Sequence, residues 1–202
     1  MKIYGDVISP FVRACLVCAH EVGLAEKIEL VKTSVKPIEE HAVLSKLSPI
    51  GKIPVLETDH HHAIYDSRVI IEYLSHVAGN RDIIPDDGVK RFRVLTLAAL
   101  ATGIADAAVA LRYELAQRPP DKQWSQLADR NTQRIVASVR DVEQNWNADL
   151  HALSSATILL ATALSYIDFR HGTIDWRTQS PSVAAFHARF SDRSSMLAYP
   201  LH

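Results

Sequence analysis

The sequence predicts an α/β N-terminal domain built on a mixed four-stranded sheet, followed by an all-helical C-terminal domain. Strand-like runs and a helical repeat alternate in the first part of the chain, whereas only helical repeats occur beyond residue 88. Residues 79–88 gather Gly, Pro, Asn and Asp, which are typical of a linker. We therefore expect domains at residues 1–79 and 89–202, joined by a linker at 80–88.

The N-terminal domain is expected to open with a strand–helix–strand unit. Residues 2–5 and 28–31 are short strand-like runs, and the residues between them show one apolar helical face that ends at Gly23. The two strands of such a unit are expected to be parallel. Cys15 and Cys18 lie on the apolar face, so we interpret this C-x-x-C pair as buried small hydrophobic residues rather than a redox or metal pair.

The rest of this domain is predicted to consist of a connector, a hairpin and a helix. A polar stretch at 36–47 is expected to be partly helical. Residues 54–57 and 63–65 are apolar runs on either side of a turn, which predicts a β-hairpin. A helix from Ser67 to about Ala78 then completes a four-stranded sheet with helices packed on it.

The C-terminal domain begins with a long helix that has two different faces. Its apolar face consists of Val94, Leu97, Ala101, Ile104, Ala108, Leu111 and Leu115. Its opposite face carries Thr102, Asp106, Val109 and Tyr113. Further helices are predicted at 121–147 and 154–170, the second apolar nearly all round and therefore central, and the stretch 181–193 adds one or two more.

Composition excludes several classes of function. The net charge is -1, and neither part of the chain is basic enough to bind nucleic acid or an anionic membrane. The apolar stretch 94–116 contains Asp106, Arg112 and Glu114, so we expect a buried helix and not a membrane span. The first residues lack the apolar stretch of a signal peptide, and the chain has only two cysteines, so we expect a cytoplasmic protein.

Ser9 and Pro10 stand where the first helix should begin. Serine before proline is a good N-cap followed by a good first helical residue, and capping alone would explain the pair. The same geometry also suits chemistry, because free N–H groups and the positive end of the helix dipole favour an anion such as a thiolate. The Ser9 hydroxyl can donate a hydrogen bond to that sulfur.

A second polar region lies near the hairpin. Pro54 enters a strand after a turn and is a candidate for a cis peptide bond, which would turn the backbone groups of Ile53 outward to pair with an extended peptide. Asp66 and Ser67 open the next helix, where Ser67 and free N–H groups suit a carboxylate and Asp66 suits an ammonium group. A ligand with a thiol, a peptide backbone and an α-amino acid end satisfies all three places, and glutathione has these groups.

These residues resemble the soluble glutathione transferase superfamily, in particular its bacterial serine-type members. The family patterns S-P-F/Y-V-R, N-P-x-G-K-V-P-V-L and D/E-S match Ser9–Arg13, Ser48–Leu56 and Asp66-Ser67, and similar segments follow at 103–107, 166–170 and 175–177. The resemblance covers nearly the whole chain. It implies a thioredoxin-like N-terminal domain, glutathione as co-substrate, a homodimer and a role in detoxification.

The resemblance also implies roles for individual residues. Ser9 would stabilise the glutathione thiolate, and Ile53, beside cis-Pro54, would pair with the peptide backbone. Asp66 and Ser67 would bind the γ-glutamyl end. Phe11 and Lys36 are further candidates for binding glutathione, with Lys36 and Lys52 as possible partners of its glycyl carboxylate, although both lysines can equally be solvated. The second substrate, a small electrophile, would lie against Thr102, Asp106, Val109 and Tyr113.

The sequence departs from the family pattern at two positions. Ser48 stands where the family usually has Asn, and Thr157 replaces the acid of an S/T-x-x-D capping box that begins at Ser154, which should weaken the reciprocal bond.

The adjacent histidines 60–62 point in different directions and lack a ligand cluster, so we expect no metal. Tyr4 lies in the first strand and is a poorer thiol-activating hydroxyl than Ser9.

Two functions remain open from the sequence. The first is an enzyme that activates glutathione through Ser9 and conjugates it to a small electrophile. The alternative is a catalytically weak glutathione-binding or protein-interaction module with the same fold. An open apolar pocket beside the sulfur would favour the enzyme.

Overall fold

The computed structural model describes all 202 residues of the chain. Its first part has the element order β1 Lys2–Gly5, α1 Pro10–Glu21, β2 Glu29–Lys32, α2 Ala42–Leu47, β3 Val55–Glu57, β4 Ala63–Ile64 and α3 Ser67–Val77. The predicted strand–helix–strand unit, the hairpin and the closing helix are all present. The polar stretch that starts at residue 36 becomes helical only at Ala42.

The four strands form one mixed sheet in the order β2-β1-β3-β4. β1 runs parallel to β2, with Ile3 opposite Leu30, and antiparallel to β3, with Ile3 opposite Leu56. Strands β3 and β4 form the antiparallel hairpin. Gly5 ends β1 against α1, where a Cβ atom would lie 2.4 Å from a methyl group of Val12. A side chain is therefore sterically excluded from the end of β1. The mixed sheet with its helices confirms the predicted α/β class of this domain.

The second part of the chain is entirely helical. Its elements are α4 Gly88–Ala116, α5 Ser125–Asn145, α6 Ser155–Arg170, α7 Pro181–Ser191 and α8 Ser194–Leu197, with short 3-10 helices at Pro120–Lys122 and Asn147–His151. The predicted helix at 121–147 is therefore too long at its N-terminus. Residues 120–122 form a separate 3-10 turn, and Gln123 returns to an extended conformation before α5 begins.

The long helix α4 packs against α5 and α6 through most of its predicted apolar face. Leu97, Ala101, Ile104, Ala108 and Leu111 are buried. The prediction is wrong for Leu115, which is 50% exposed because it lies in the last turn of α4, at the edge of the helical packing. By length and composition alone α4 could cross a membrane, but half of its apolar window is buried inside the protein.

Helix α6 is the centre of the second domain and is buried along nearly its whole length. It begins with a complete capping box. The Ser154 hydroxyl accepts from the Thr157 N–H, and the Thr157 hydroxyl accepts from the Ser154 N–H at 2.9 Å. We expected the missing acid to weaken the reciprocal bond, but the bond forms because the Thr157 hydroxyl reaches the same N–H as a carboxylate would.

Helix α1 joins the two domains, since it packs on α3 of the first domain and on α6 of the second. Arg13 is only 6% exposed, and its guanidinium donates to the backbone carbonyls of Tyr199 (2.8 Å) and Met196 (3.3 Å). Burial lowers the Arg13 pKa to about 10. At the other end of α1, Glu21 accepts a bidentate hydrogen bond from Arg193 at 2.6 and 2.7 Å. Residues 193–199 therefore fasten the first helix to the second domain.

Candidate functional site

A cavity of about 960 Å³ lies between the two domains. We call it the interdomain cavity. The first domain contributes the beginning of α1 and the loops at 34–41 and 49–53, and the second domain contributes residues of α4 and α6. Its volume is at the upper end of the range of about 300–1,000 Å³ that is common for small-molecule sites. The cavity is therefore large enough to be a small-molecule site.

Ser9 lies in the wall of this cavity as the N-cap of α1. Its hydroxyl oxygen accepts from the Val12 N–H at 3.5 Å, which is a long and weak hydrogen bond. A hydroxyl that accepts through a lone pair still has its own proton to donate. Ser9 can therefore cap the helix and hydrogen-bond an anion at the same time, so the capping and chemical interpretations are compatible. Phe11, in the first turn of α1, also lines the cavity and is partly exposed.

The loop before β3 forms another part of the same wall. The Ile53–Pro54 peptide bond is cis, as expected, and Ile53 lines the cavity while Pro54 is buried behind it. The turn that leads to them is stabilised by Ser48, whose hydroxyl accepts from the Ile50 N–H at 3.3 Å. Ser48 thus supplies the side-chain hydrogen bond within this turn.

Asp66 and Ser67 stand outside the cavity lining, at the start of α3. The Asp66 carboxylate caps the helix by accepting from the Arg68 N–H at 3.0 Å, and it pairs with the Arg68 guanidinium at 2.9 Å. Burial opposes ionisation of Asp66, but the hydrogen bonds from Arg68 outweigh it and lower the Asp66 pKa. Ser67 is 2% exposed. The role of Arg68 as the partner of Asp66 was not predicted from the sequence.

Three of the four residues predicted on the polar face of α4 line the cavity: Asp106, Val109 and Tyr113. Thr102 does not, and its hydroxyl instead donates to the Ala98 carbonyl of its own helix at 2.8 Å. Loss of hydration raises the Asp106 pKa, the positive charges of Lys52 and Arg68 oppose that rise, and Asp66 adds to it. Asp106 is therefore close enough to the start of α3 to interact electrostatically with Asp66 and Arg68.

The two lysines singled out in the sequence both line the cavity and are both exposed. Lys36 forms an ion pair with Glu39 at 2.8 Å, in which both side chains are largely exposed. Pairs of this kind contribute little to stability, about 0–1 kcal/mol. Lys36 can therefore exchange its partner for a ligand carboxylate at small cost.

Sequence reasoning missed three residues on the second-domain wall. Arg112 lies near the end of α4, and Tyr166 and Arg170 lie on the last turns of α6. Burial raises the pKa of the Tyr166 phenol, while the nearby Arg170 and Arg112 oppose that rise. Tyr166 and Arg170 belong to the segment 166–170, which resembles the family but to which no function was assigned from the sequence. No sequence signal pointed to Arg112.

The competing features of the sequence lie elsewhere. The Tyr4 hydroxyl donates to the Glu57 carboxylate at 2.7 Å and does not line the cavity. Cys15 and Cys18 are fully buried, and burial raises both thiol pKa values, that of Cys18 to about 12. Both thiols are therefore protonated and inert, which confirms their interpretation as core residues. His61 pairs with Glu57 at 2.8 Å on the surface.

Known proteins are similar to this chain in both fold and sequence. The family model "Glutathione S-transferase, N-terminal domain" matches residues 8–77. A glutathione transferase family member from Pseudomonas fluorescens Pf-5, solved with bound glutathione, is 40% identical, with 99% of each chain covered and a TM-score of 0.96. A structure from the same bacterium with bound S-(propanoic acid)-glutathione is 39% identical over 100% of both chains, with a TM-score of 0.91.

A curated relative agrees with these structures. The uncharacterized GST-like protein YibF of Escherichia coli K12 is 29% identical over 199 residues, which is 96% of each chain. Similarity of this extent includes both domains. The four-stranded sheet followed by helices and the similarity to these relatives together establish that the chain belongs to the soluble glutathione transferase superfamily.

Proposed function

We propose that this protein binds glutathione against its first domain and conjugates it to a small electrophile held in the interdomain cavity. The observation that carries the proposal is the position of Ser9. Its hydroxyl stands at the start of α1, in the wall of a cavity that also contains Ile53 beside a cis-proline. The Pseudomonas relative with bound glutathione supports this ligand.

Ser9 would activate the glutathione thiol by stabilising its anion. A free thiol has a pKa of about 8.5 and is mostly protonated at neutral pH. A charge-assisted hydrogen bond contributes about 1.5–3 kcal/mol, which lowers a thiol pKa by about 1–2. The positive end of the α1 dipole acts in the same direction. Together they would make the thiolate the main form at neutral pH.

The rest of the tripeptide would lie along the first domain. Ile53 would pair with its backbone, and the γ-glutamyl end would reach the start of α3, where Ser67 and the helix N–H groups suit its carboxylate. Asp66 would hold the ammonium group, which its lowered pKa favours because the carboxylate stays ionised. Phe11 and Lys36 would border the cysteinyl and glycyl parts.

The electrophile would occupy the second-domain side of the cavity, against Asp106, Val109 and Tyr113. The second Pseudomonas structure supports this arrangement, since its ligand is glutathione with a substituent on sulfur. Proximity then provides much of the catalysis, because sulfur and electrophile are held together in one cavity. Thr102 is not part of this proposal, since its hydroxyl is bonded within α4.

We also propose that the chain works as a cytoplasmic homodimer in detoxification, with domains 1–79 and 89–202 joined by the linker 80–88. An exposed apolar surface supports the dimer. Val69 on α3 is 50% exposed, Val89 and Phe92 on α4 are 84% and 68% exposed, and the Arg91–Glu72 ion pair holds these helices together at 2.7 Å. In sedimentation, Phe92→Glu should shift the protein towards monomer, and an unchanged dimer would exclude this surface.

The proposed chemistry is tested by the pKa of bound glutathione, followed through the ultraviolet absorbance of the thiolate. Ser9→Ala should raise that pKa by about 1–2 and slow conjugation at neutral pH by about tenfold or more. Ser45→Ala is a matched control, because this hydroxyl also belongs to the cavity lining but donates to the His41 carbonyl at 3.2 Å.

Two results would contradict the proposal in different ways. An unchanged thiol pKa in Ser9→Ala would remove Ser9 from activation. Binding of glutathione without conjugation of any of several electrophiles would favour the alternative, a binding module with the same fold.

A further inference from the structure

Two arginines in the interdomain cavity lack a carboxylate partner. Arg112 on α4 and Arg170 on α6 both line the cavity and are both half-buried. Several other arginines of the helical domain form ion pairs, such as Arg93–Asp149 at 2.7 Å and Arg177–Asp168 at 2.6 Å. Arg112 and Arg170 form no ion pair and no hydrogen bond within the protein. Two arginines without an ion-pair partner therefore lie in the wall of the cavity.

None of the acidic residues that line the cavity forms an ion pair with either arginine. Asp106 lies six residues before Arg112 on the same helix, which is about 9 Å along the axis at about 1.5 Å per residue. Asp106 is instead influenced by Lys52 and Arg68, on the side of the first domain. Glu39 is occupied by Lys36. The last turns of α4 and α6 thus contribute two arginines without an ion-pair partner to this end of the cavity.

The groups around the two arginines are suited to hold a carboxylate. The Arg170 guanidinium stacks on the Phe169 ring, 4.2 Å from its centroid, which restricts its orientation. The phenols of Tyr113 and Tyr166 line the same end of the cavity and can donate hydrogen bonds. A planar guanidinium matches the two oxygens of a carboxylate and forms its strongest hydrogen bonds with such groups.

We propose that Arg112 and Arg170 select a second substrate that carries a carboxylate, and that they hold the carboxylate of the resulting glutathione conjugate. This inference rests on the proposed function, because it assigns the substrate class of the same cavity. The glutathione contacts proposed above all lie on the first domain. The arginine pair on the second-domain wall is therefore available for an anion that glutathione itself does not supply.

Binding of two matched conjugates tests this selection. S-carboxyethyl-glutathione and S-carbamoylethyl-glutathione have nearly the same shape and differ in charge, and their affinities can be compared by titration calorimetry. The wild type should bind the carboxylate conjugate about tenfold more tightly or better, as expected for at least one charge-assisted hydrogen bond. The double variant Arg112→Gln/Arg170→Gln should lose this preference and bind unmodified glutathione as the wild type does.

Controls separate charge at this position from general effects. Arg130→Gln removes an exposed positive charge from α5, outside the cavity lining, and should keep the preference. Arg112→Lys preserves the charge and should keep part of the preference, which guards against a misfolded double variant. Equal affinity for the two conjugates in the wild type, or a preference that survives the double variant, would overturn the inference.

Two further outcomes are distinct. If the double variant weakens glutathione as much as its conjugates, the arginines hold the glycyl carboxylate, which also overturns the inference. If the wild type binds neither glutathione nor either conjugate, the proposed function itself fails.

Discussion

Replacing Asp168 tests the polar network that orders the end of the helical domain. Asp168 on α6 accepts hydrogen bonds from the Trp176 indole at 3.0 Å and from the two terminal nitrogens of Arg177 at 2.7 and 2.6 Å. Trp176 is 1% exposed, so the carboxylate satisfies a buried donor as well as a charge. Burial opposes ionisation of Asp168, but the Arg177 and Trp176 hydrogen bonds outweigh it and lower its pKa.

Asp168→Asn should reduce the free energy of unfolding by about 2 kcal/mol. The asparagine oxygen can still accept from Trp176, but the amide replaces the charged acceptor of Arg177. A bidentate charged pair would contribute about 1.5–3 kcal/mol, and the partial exposure of both side chains keeps the loss in the lower half of that range. Asp168→Ala should cost about 1–3 kcal/mol more, because it leaves the buried Trp176 N–H without a partner.

Thermal unfolding followed by circular dichroism measures this difference. For a protein of this size 1 kcal/mol corresponds to about 2–4 °C, so Asp168→Asn should lower the Tm by roughly 4–8 °C. Asp175→Asn is the control, because this exposed carboxylate accepts only locally, from the Thr178 N–H at 3.1 Å, and should change the Tm little. A Tm for Asp168→Asn equal to that of the control would refute the idea that the network stabilises the domain.

Three other changes test local features of the fold. Gly5→Ala should destabilise by about 1–3 kcal/mol in urea unfolding, because its Cβ would lie 2.4 Å from Val12, and unchanged stability would mean that α1 can move away freely. Thr157→Val should cost about 1–2 kcal/mol through loss of the bond to the Ser154 N–H, and a neutral effect would show that water replaces it. Burial lowers the His187 pKa from 6.5 to about 4; the positive charge of Arg177 also lowers it, and the negative charge of Asp168 opposes the shift. As the pH drops from 6.5 towards 4, His187 is therefore protonated in the unfolded chain before it is protonated in the folded one, and stability should fall. At about 1.36 kcal/mol per pH unit the loss is roughly 3 kcal/mol, and His187→Gln should abolish this part of the slope, whereas an unchanged slope would exclude His187 as its origin.

The fold could be predicted because its signals are local. The strand–helix–strand unit, the hairpin and the cis-proline each depend on a few neighbouring residues, and the long helices repeat their apolar positions many times. Errors occurred where tertiary position decides. Leu115 continues the repeat of α4 but lies in its last turn, where no neighbouring helix covers it. The start of α5 was misplaced because a 3-10 turn separates it from Pro119.

The cavity was predicted only in part for a related reason. Ser9 and Ile53 belong to short motifs whose geometry follows from the chain around them. Arg112 and Arg170, by contrast, look like ordinary solvated residues of separate helices. They meet only because α4 and α6 pack side by side, and that convergence leaves no pattern in the sequence. Thr102 shows the opposite error, since a suitable position on the helix does not guarantee that its hydroxyl is free.

The hydrogen bonds between α1 and residues 193–199 affect how the protein can fold during synthesis. Arg13 finds its acceptors 183 and 186 positions later in the chain. A ribosome must therefore deliver the chain as far as Tyr199 before the Arg13 guanidinium can form both of its hydrogen bonds. A fragment that stops at residue 79 would contain every proposed glutathione contact. It would nevertheless expose the Arg13 guanidinium to water and lack residues 193–199, which hold its first helix in place.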